Sequence, residues 1–160
     1  MKSLILVRHA KSSWDFGLDD KKRPLAEKGI SNIKKIASAA KVFLPKALFI
    51  WSSPAVRASE TAYLFCENAG LDTRSIVFKE NLYTFNGSEL EKEVKKCENS
   101  IQNLILFGHN DAITNFVNKF GDKYIENVPT SGFVFLQFEE DYWEDINKGK
   151  VLKAIFPKDI

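Results

Sequence analysis

The stretch LILVRHAKSS, residues 4–13, decides how this chain is read. Leu4 to Val7 is an apolar run of the length expected for a strand buried on both faces. It runs directly into Arg8 and His9, which a hydrophobic interior rejects unless they are paired or put to use. A buried strand that delivers two such residues at its carboxyl end points to the ligand-binding edge of an open α/β sheet.

The rest of the chain carries the pattern of such a sheet. Strands are predicted at 3–8, 47–52, 75–78 and 103–107, with two later ones near 133–138 and 151–156. Between them lie helical stripes. Leu25, Ala26, Ile30, Ile33, Ala37, Ala40 and Leu44 recur at steps of three and four, with Pro24 before them and Pro45 after. Pro54 opens a second helix with Ala58, Ala62, Phe65 and Ala69 on its buried side, and Gly70 is placed to end it. Ser88 and Glu91 form a capping-box pattern before Leu90, Val94 and Cys97, and a fourth helix is expected from Ala112 to Phe120. Strand–helix alternation predicts a three-layer α/β/α sandwich on a mostly parallel sheet. The last two strands, joined by EEDYWED, form an antiparallel edge. No repeat, low-complexity segment or linker interrupts the pattern, so residues 1–160 are expected to form a single domain.

Composition narrows the class of function. The 160 residues are 44% hydrophobic and 28% charged, and 23 basic against 21 acidic residues leave a net charge of +2, too small to argue for nucleic acid. The mixed-sign stretch DDKKRP at 19–24 reads as a solvated loop, or else as the rim of a site that attracts anions. Cys66 and Cys97 fall in helical patterns without a neighbouring histidine, as expected of free, buried thiols in a reducing compartment. The N-terminal apolar run is too short for a signal peptide, and no stretch approaches the ~18 apolar residues of a membrane span. A cytoplasmic protein, monomeric and without membrane or nucleic-acid partners, is the expectation.

Three predicted strands end at one sheet edge in unusual chemistry. The first gives Arg8 and His9. The second leads into SSPAVRASETA, residues 52–62, which places Arg57 in the first turn of its helix. The fourth leads into FGHND, residues 107–111, with His109 directly after Gly108. His9 and His109 are the two histidines of the chain, and both follow a strand. Two guanidiniums, two imidazoles and helix N-termini make a pocket suited to a tetrahedral dianion such as phosphate.

LVRHAKS resembles the Arg-His-Gly signature of the histidine phosphatase superfamily, to which the phosphoglycerate mutases also belong. RPLAEKG at 23–29, SSPAVRASETA, FGHND and PTSG at 129–132 extend the likeness in order, over residues 4 to about 138. Together they resemble the SixA branch, the phosphohistidine phosphatases. The resemblance implies a phosphoglycerate mutase-like fold and a catalytic set of His9, Arg8, Arg57 and His109. His9 would be the nucleophile that takes the phosphoryl group, while Arg8, Arg57 and His109 would hold its oxygens. It implies no cofactor and no metal, and a phosphorylated substrate, such as a histidine-phosphorylated protein.

Two positions depart from the superfamily pattern. Ala10 stands where the signature has glycine. In ENLYTFNGSE, residues 80–89, Thr84 falls in the place where larger branches carry a carboxylic general acid. Glu80, Glu89 and Asp111 are nearby candidates out of register, and the same absence typifies the SixA branch. The alternatives are a small-molecule phosphomonoesterase of the same superfamily, or a phosphate-binding module with weak catalysis. A metal site of His9, His109 and Asp111 is disfavoured by the flanking arginines, and a serine hydrolase by the lack of a nucleophile elbow. Trp51 reads as core. Trp14 reads as loop packing or the wall of a substrate entrance, and Thr130 and Ser131 as supports behind the phosphate, with direct contact to it or a plain turn before the strand as the alternatives.

Overall fold

The computed structural model of the protein describes residues 1–15 and 17–160. Among them the strands are β1 (Lys2–Arg8), β2 (Leu48–Ser52), β3 (Ile76–Phe78), β4 (Asn103–Gly108), β5 (Phe133–Phe138) and β6 (Lys150–Ile155). The helices are α1 (Glu27–Ala40), α2 (Val56–Ala69), α3 (Gly87–Lys95) and α4 (Ala112–Phe120). The sheet order is β3-β2-β4-β1-β5-β6. β3, β2, β4 and β1 run parallel, and β5 and β6 close the sheet antiparallel, as the sequence predicts.

Strand alternation divides the core into two layers. Ile5, Val7, Ile105 and Phe107 face α1 and α2, meeting Ile33, Ile36, Ala37, Ala62, Phe65 and Cys66. Leu4, Leu6, Leu104 and Leu106 face the other way, onto Leu90 and Val94 of α3 and Ile113, Phe116 and Val117 of α4. The result is the expected α/β/α sandwich with β1 and β4 at its centre. Cys66 and Cys97 are free and buried, and burial raises their thiols to about 12 and about 11. No helix among the described residues is long and apolar enough to cross a membrane.

Element starts differ from the sequence reading where a distant partner decides them. α1 begins at Glu27 because Leu25 is held extended: it bridges Ser12, and its N–H donates to Glu60 (3.1 Å). The stripe ends early as well. α1 stops at Ala40, a 3-10 turn follows over Lys41–Phe43, and Leu44 is extended as a residue before proline must be. α3 is capped by Asn86, not Ser88, since the Asn86 side chain accepts from the N–H groups of Ser88 and Glu89. Gly70 ends α2 in the left-handed region, at φ 76°.

Candidate active site

Register brings the two histidines together. Arg8 on β1 pairs with Gly108 on the parallel neighbour β4, so the next residue of each strand is a histidine leaving the sheet at the same level. The ring centres of His9 and His109 are 5.4 Å apart. One strand further, Ser52 pairs with Phe107, and the Ser53 N–H donates to the Phe107 carbonyl (3.0 Å). Ser53 is thereby placed beside His109, and α2 then turns Arg57 inward.

Each side chain is fixed by a specific partner. The His9 N–H donates to the Gly108 carbonyl (3.0 Å), and its Nδ1 lies 2.7 Å from the Ala10 carbonyl. A carbonyl can only accept, so Nδ1 carries the proton and Nε2 keeps a free electron pair. The Ala10 N–H donates to the Thr61 hydroxyl (2.9 Å), which ties the nucleophile loop to α2. Burial pushes the His9 imidazole down to about 4 against the Ala10 hydrogen bond, and Arg57, Arg8 and Arg23 push the same way. His9 is neutral at physiological pH.

His109 is 1% exposed, and its Nε2 lies 2.8 Å from the Ser53 hydroxyl. That oxygen already accepts from the Ala55 N–H (3.2 Å) and has its own proton to give. Donated to Nε2, it leaves the His109 proton on Nδ1, free to be offered to an anion. Burial first, then His9 and Arg57, lower this imidazole to about 3, so it too is neutral in the unliganded site.

The arginines are braced from behind. Arg8 Nη1 donates to the Val128 carbonyl (3.0 Å). Arg57, 2% exposed, gives Nη1 to the Asp20 carbonyl (2.6 Å) and Nη2 to the Asp20 carboxylate (2.9 Å). The turn of PTSG lies against the same strand end. Ser131 has φ 64°, in the left-handed region, and its N–H is shared between the carbonyls of Arg8 and His9 (3.1 and 3.2 Å).

Four buried side-chain atoms among the described residues have no hydrogen-bond partner: Nε of Arg8, Nε of Arg57, Nδ1 of His109 and Oγ of Ser131. Each such group costs roughly 1–3 kcal/mol if left unpaired, and native chains hold few of them. All four belong to this one site. The Nε–H groups of Arg8 and Arg57 are fixed donors, and His109 Nδ1 is a third when Ser53 gives its proton to Nε2; together with the free Nε2 of His9 they supply what is needed to hold a tetrahedral oxyanion for a nucleophile. Among the described residues no group of three or more His, Cys, Asp or Glu side chains gathers as metal ligands.

The four residues the sequence singles out thus meet at one end of the sheet. None of the three candidate acids hydrogen-bonds to them. Glu80 pairs with Lys21 (2.5 Å), Glu89 accepts from the Thr84 hydroxyl (2.7 Å), and Asp111 stands at the N-cap of α4 without a side-chain cap bond, close enough to Arg8 that its charge raises the guanidinium against the larger lowering effect of burial. Thr84 is buried with its hydroxyl turned to Glu89, while its neighbours Tyr83 and Phe85 lie edge-on to the His109 ring (5.3 and 5.5 Å). Of the two readings of DDKKRP, the rim of the site is the one that fits Asp20 and Arg23. Asp20 receives Arg57, Arg23 and the Tyr83 hydroxyl, and Arg23 is buried beneath the exposed ring of Trp14, 3.5 Å from its centre. Their i, i+3 spacing in DDKKRP is the signal that could have found them.

Comparison with known proteins bears on the family and the fold. Residues 4–115 match the family model of the histidine phosphatase superfamily (branch 1). An uncharacterized Mycobacterium tuberculosis protein, Rv1276c, is 26% identical over 153 residues, covering 89% of this chain and 93% of its own. The protein histidine phosphatase SixA complexed with tungstate superposes with TM-score 0.77 at 16% identity over 98% of both chains. An Agrobacterium tumefaciens protein assigned as a SixA phosphohistidine phosphatase gives 0.73 at 22% identity, again over 98% of both chains. A mycobacterial glucosyl-3-phosphoglycerate phosphatase gives 0.68 at 14% identity, over 96% of this chain and 98% of its own. The chain belongs to the histidine phosphatase superfamily, branch 1.

Proposed function

We propose that the protein is a phosphatase that takes the phosphoryl group of a phosphohistidine onto His9 and passes it to water. The observation that carries the reading is the absence of an acid where an ester would need one: among the described residues, Thr84 gives its proton to Glu89, and no candidate carboxyl group hydrogen-bonds to His9, His109, Arg8 or Arg57. An alkyl ester leaves as a strongly basic alkoxide and needs a general acid worth ~10²–10⁴-fold. Imidazole bound to phosphorus is protonated on its far nitrogen before the bond breaks, so it departs neutral and unaided.

The steps follow from the side chains. Nε2 of His9 attacks phosphorus in line, and the P–N bond to the substrate breaks with its electron pair going to the departing imidazole. Arg8, Arg57 and His109 hold the equatorial oxygens through donors that have no other partner. The neutral His9 needs no base to become a nucleophile, and Ala10 keeps its ring turned. Water then attacks the phosphorylated His9, releasing inorganic phosphate and restoring the imidazole.

One feature favours a small anionic phosphomonoester as the substrate. A cleft of about 450 Å³, lined by Lys11, Lys28, Lys158 and Thr130, opens beside the nucleophile loop and could seat a second negative group. A leaving-group series separates the two readings. Phosphoramidates and aryl phosphates should react far faster than sugar phosphates, and rapid quench with labelled phosphoimidazole should trap acid-labile, base-stable label. His9→Ala should abolish the label. Label that survives in this variant removes His9 as nucleophile, and a flat leaving-group series removes the phosphohistidine reading.

A further inference from the structure

Asp20 is the most heavily bonded carboxylate of the site, and the chemistry proposed above gives it no task. Its Oδ2 receives Nη2 of Arg57 (2.9 Å) and the hydroxyl of Tyr83 (2.7 Å). Its Oδ1 receives Nε and Nη2 of Arg23 (3.3 and 3.2 Å). Its backbone carbonyl takes the remaining terminal nitrogen of Arg57 (2.6 Å). A carboxylate offers about four acceptor positions, and all four are filled by donors that would serve a bound oxyanion equally well.

The position of the group is equally specific. His9, His109 and Arg57 are buried, whereas the Asp20 side chain is 42% exposed and Trp14 is 74% exposed. Asp20 therefore stands at the mouth, with Trp14, Tyr83 and Phe85 around it. With His9, His109 and Arg57 buried, the exposed Asp20 side is the approach we assign to the leaving group of a phosphoryl compound.

We infer that Asp20 is a built-in carboxylate occupying an anion subsite formed by Arg57, Arg23 and Tyr83, and that it selects substrates whose leaving group carries no negative charge. The inference rests on the reading of this site as one that handles phosphoryl groups. A leaving group bearing a carboxylate or a second phosphate finds both terminal nitrogens of Arg57 and the Nε and Nη2 of Arg23 already bonded to Asp20, and meets a like charge at short range. A neutral or protonated imidazole meets neither obstacle. Although burial favours its neutral form, the hydrogen bonds from Tyr83 and Arg57 hold the Asp20 carboxyl down to about 2, so the charge is present throughout the working range of pH. The phosphoryl group keeps its own donors, the Nε atoms of Arg8 and Arg57 and Nδ1 of His109, which Asp20 does not touch.

The test uses two aryl esters, phenyl phosphate and 4-carboxyphenyl phosphate, so that it does not depend on a phosphohistidine substrate. The wild-type protein should discriminate against the carboxylated ester. In Asp20→Asn both rates are free to change, but the ratio of kcat/KM for the carboxylated over the plain ester should rise tenfold or more. An unchanged ratio overturns the inference and leaves Asp20 as a brace for Arg57. An equal rise for both esters, with inorganic phosphate bound more tightly by the same factor, overturns it as well, because Asp20 would then compete for the phosphoryl position itself. Should the melting curve show that D20N folds poorly, the wild type decides alone. Its discrimination should shrink as salt rises from low to physiological ionic strength, and discrimination indifferent to salt counts against the inference. Failure to hydrolyse phosphoimidazole would instead remove the phosphohistidine reading while leaving this selection intact.

Discussion

At the scale of single residues, the site depends on which nitrogen of each imidazole holds its proton. Ala10 sets this for His9 through a carbonyl that can only accept. Ser53 sets it for His109 through a hydroxyl that can give its proton away. Ser53→Ala removes the second control, so His109 can shift its proton to Nε2 and turn a lone pair toward the substrate. The expected outcome is a fall in kcat of about tenfold or more, equivalent to about 1.4 kcal/mol, with KM little changed and the melting temperature preserved. Ser53→Thr, which keeps the hydroxyl, should recover most of the loss. Arg8, His9, Arg57 and His109 were legible in the sequence because each is chemically out of place where a strand ends or a helix begins. Ser53 and Tyr83 were not, because each is an ordinary residue whose importance lies in a partner far along the chain, and Asp20 was legible only as one of two readings of DDKKRP. Asp20 meets Tyr83 across sixty-three positions, and no local pattern encodes that choice.

At the scale of elements, one helix start controls the loop behind the nucleophile. The first turn of α1 lies so close to the chain after His9 that a Cβ on Gly29 would stand 2.2 Å from the Lys11 carbonyl oxygen and 2.8 Å from its nitrogen. The Ala26 N–H donates to that same carbonyl (2.9 Å), joining helix and loop. Backbone cannot step aside as a side chain can, so Gly29→Ala should cost roughly 1–3 kcal/mol of stability. It should also lower kcat, because Ala10, which orients the His9 ring, is the next residue back along the displaced loop. A thermal melt and a kinetic assay on the same preparation check both, and full activity in a destabilised protein would disconnect the loop from catalysis. All six strands and the span of α4 were readable beforehand, since apolar runs and helical periodicity are local properties. The starts of α1 and α3 were not. Leu25 is captured by Ser12 and Glu60, and Asn86 outcompetes Ser88 for the orphan amides.

At the scale of the whole molecule, two buried neutral imidazoles make stability depend on pH. An unfolded histidine titrates near 6.5, whereas in the folded protein His9 stays neutral to about 4 and His109 to about 3. Between pH 6.5 and 4 the unfolded chain therefore binds protons that the folded one refuses, and stability falls as the solution is acidified. The loss from His9 alone is on the order of 2–3 kcal/mol by pH 4. Asp20 contributes little in that window, because most of its stabilisation is lost as pH falls from about 3.8 through about 2. The melting temperature should decline from pH 6.5 to 4, and the decline should be shallower in His9→Asn. Tungstate, a dianion that favours the charged imidazole, should flatten the curve further; a profile that tungstate leaves unaltered would place the acid sensitivity elsewhere. The position of β1 carries one more consequence, this time for the making of the protein. Ser3 pairs with Asn103 on one side and Gln137 on the other. On a ribosome adding about 5–20 residues per second, the strand that carries the nucleophile emerges on the order of ten seconds before either neighbour exists. Through that interval its apolar run has no sheet to join. No nascent chain that stops short of β4 contains both histidines, so the pocket cannot assemble piecemeal during synthesis.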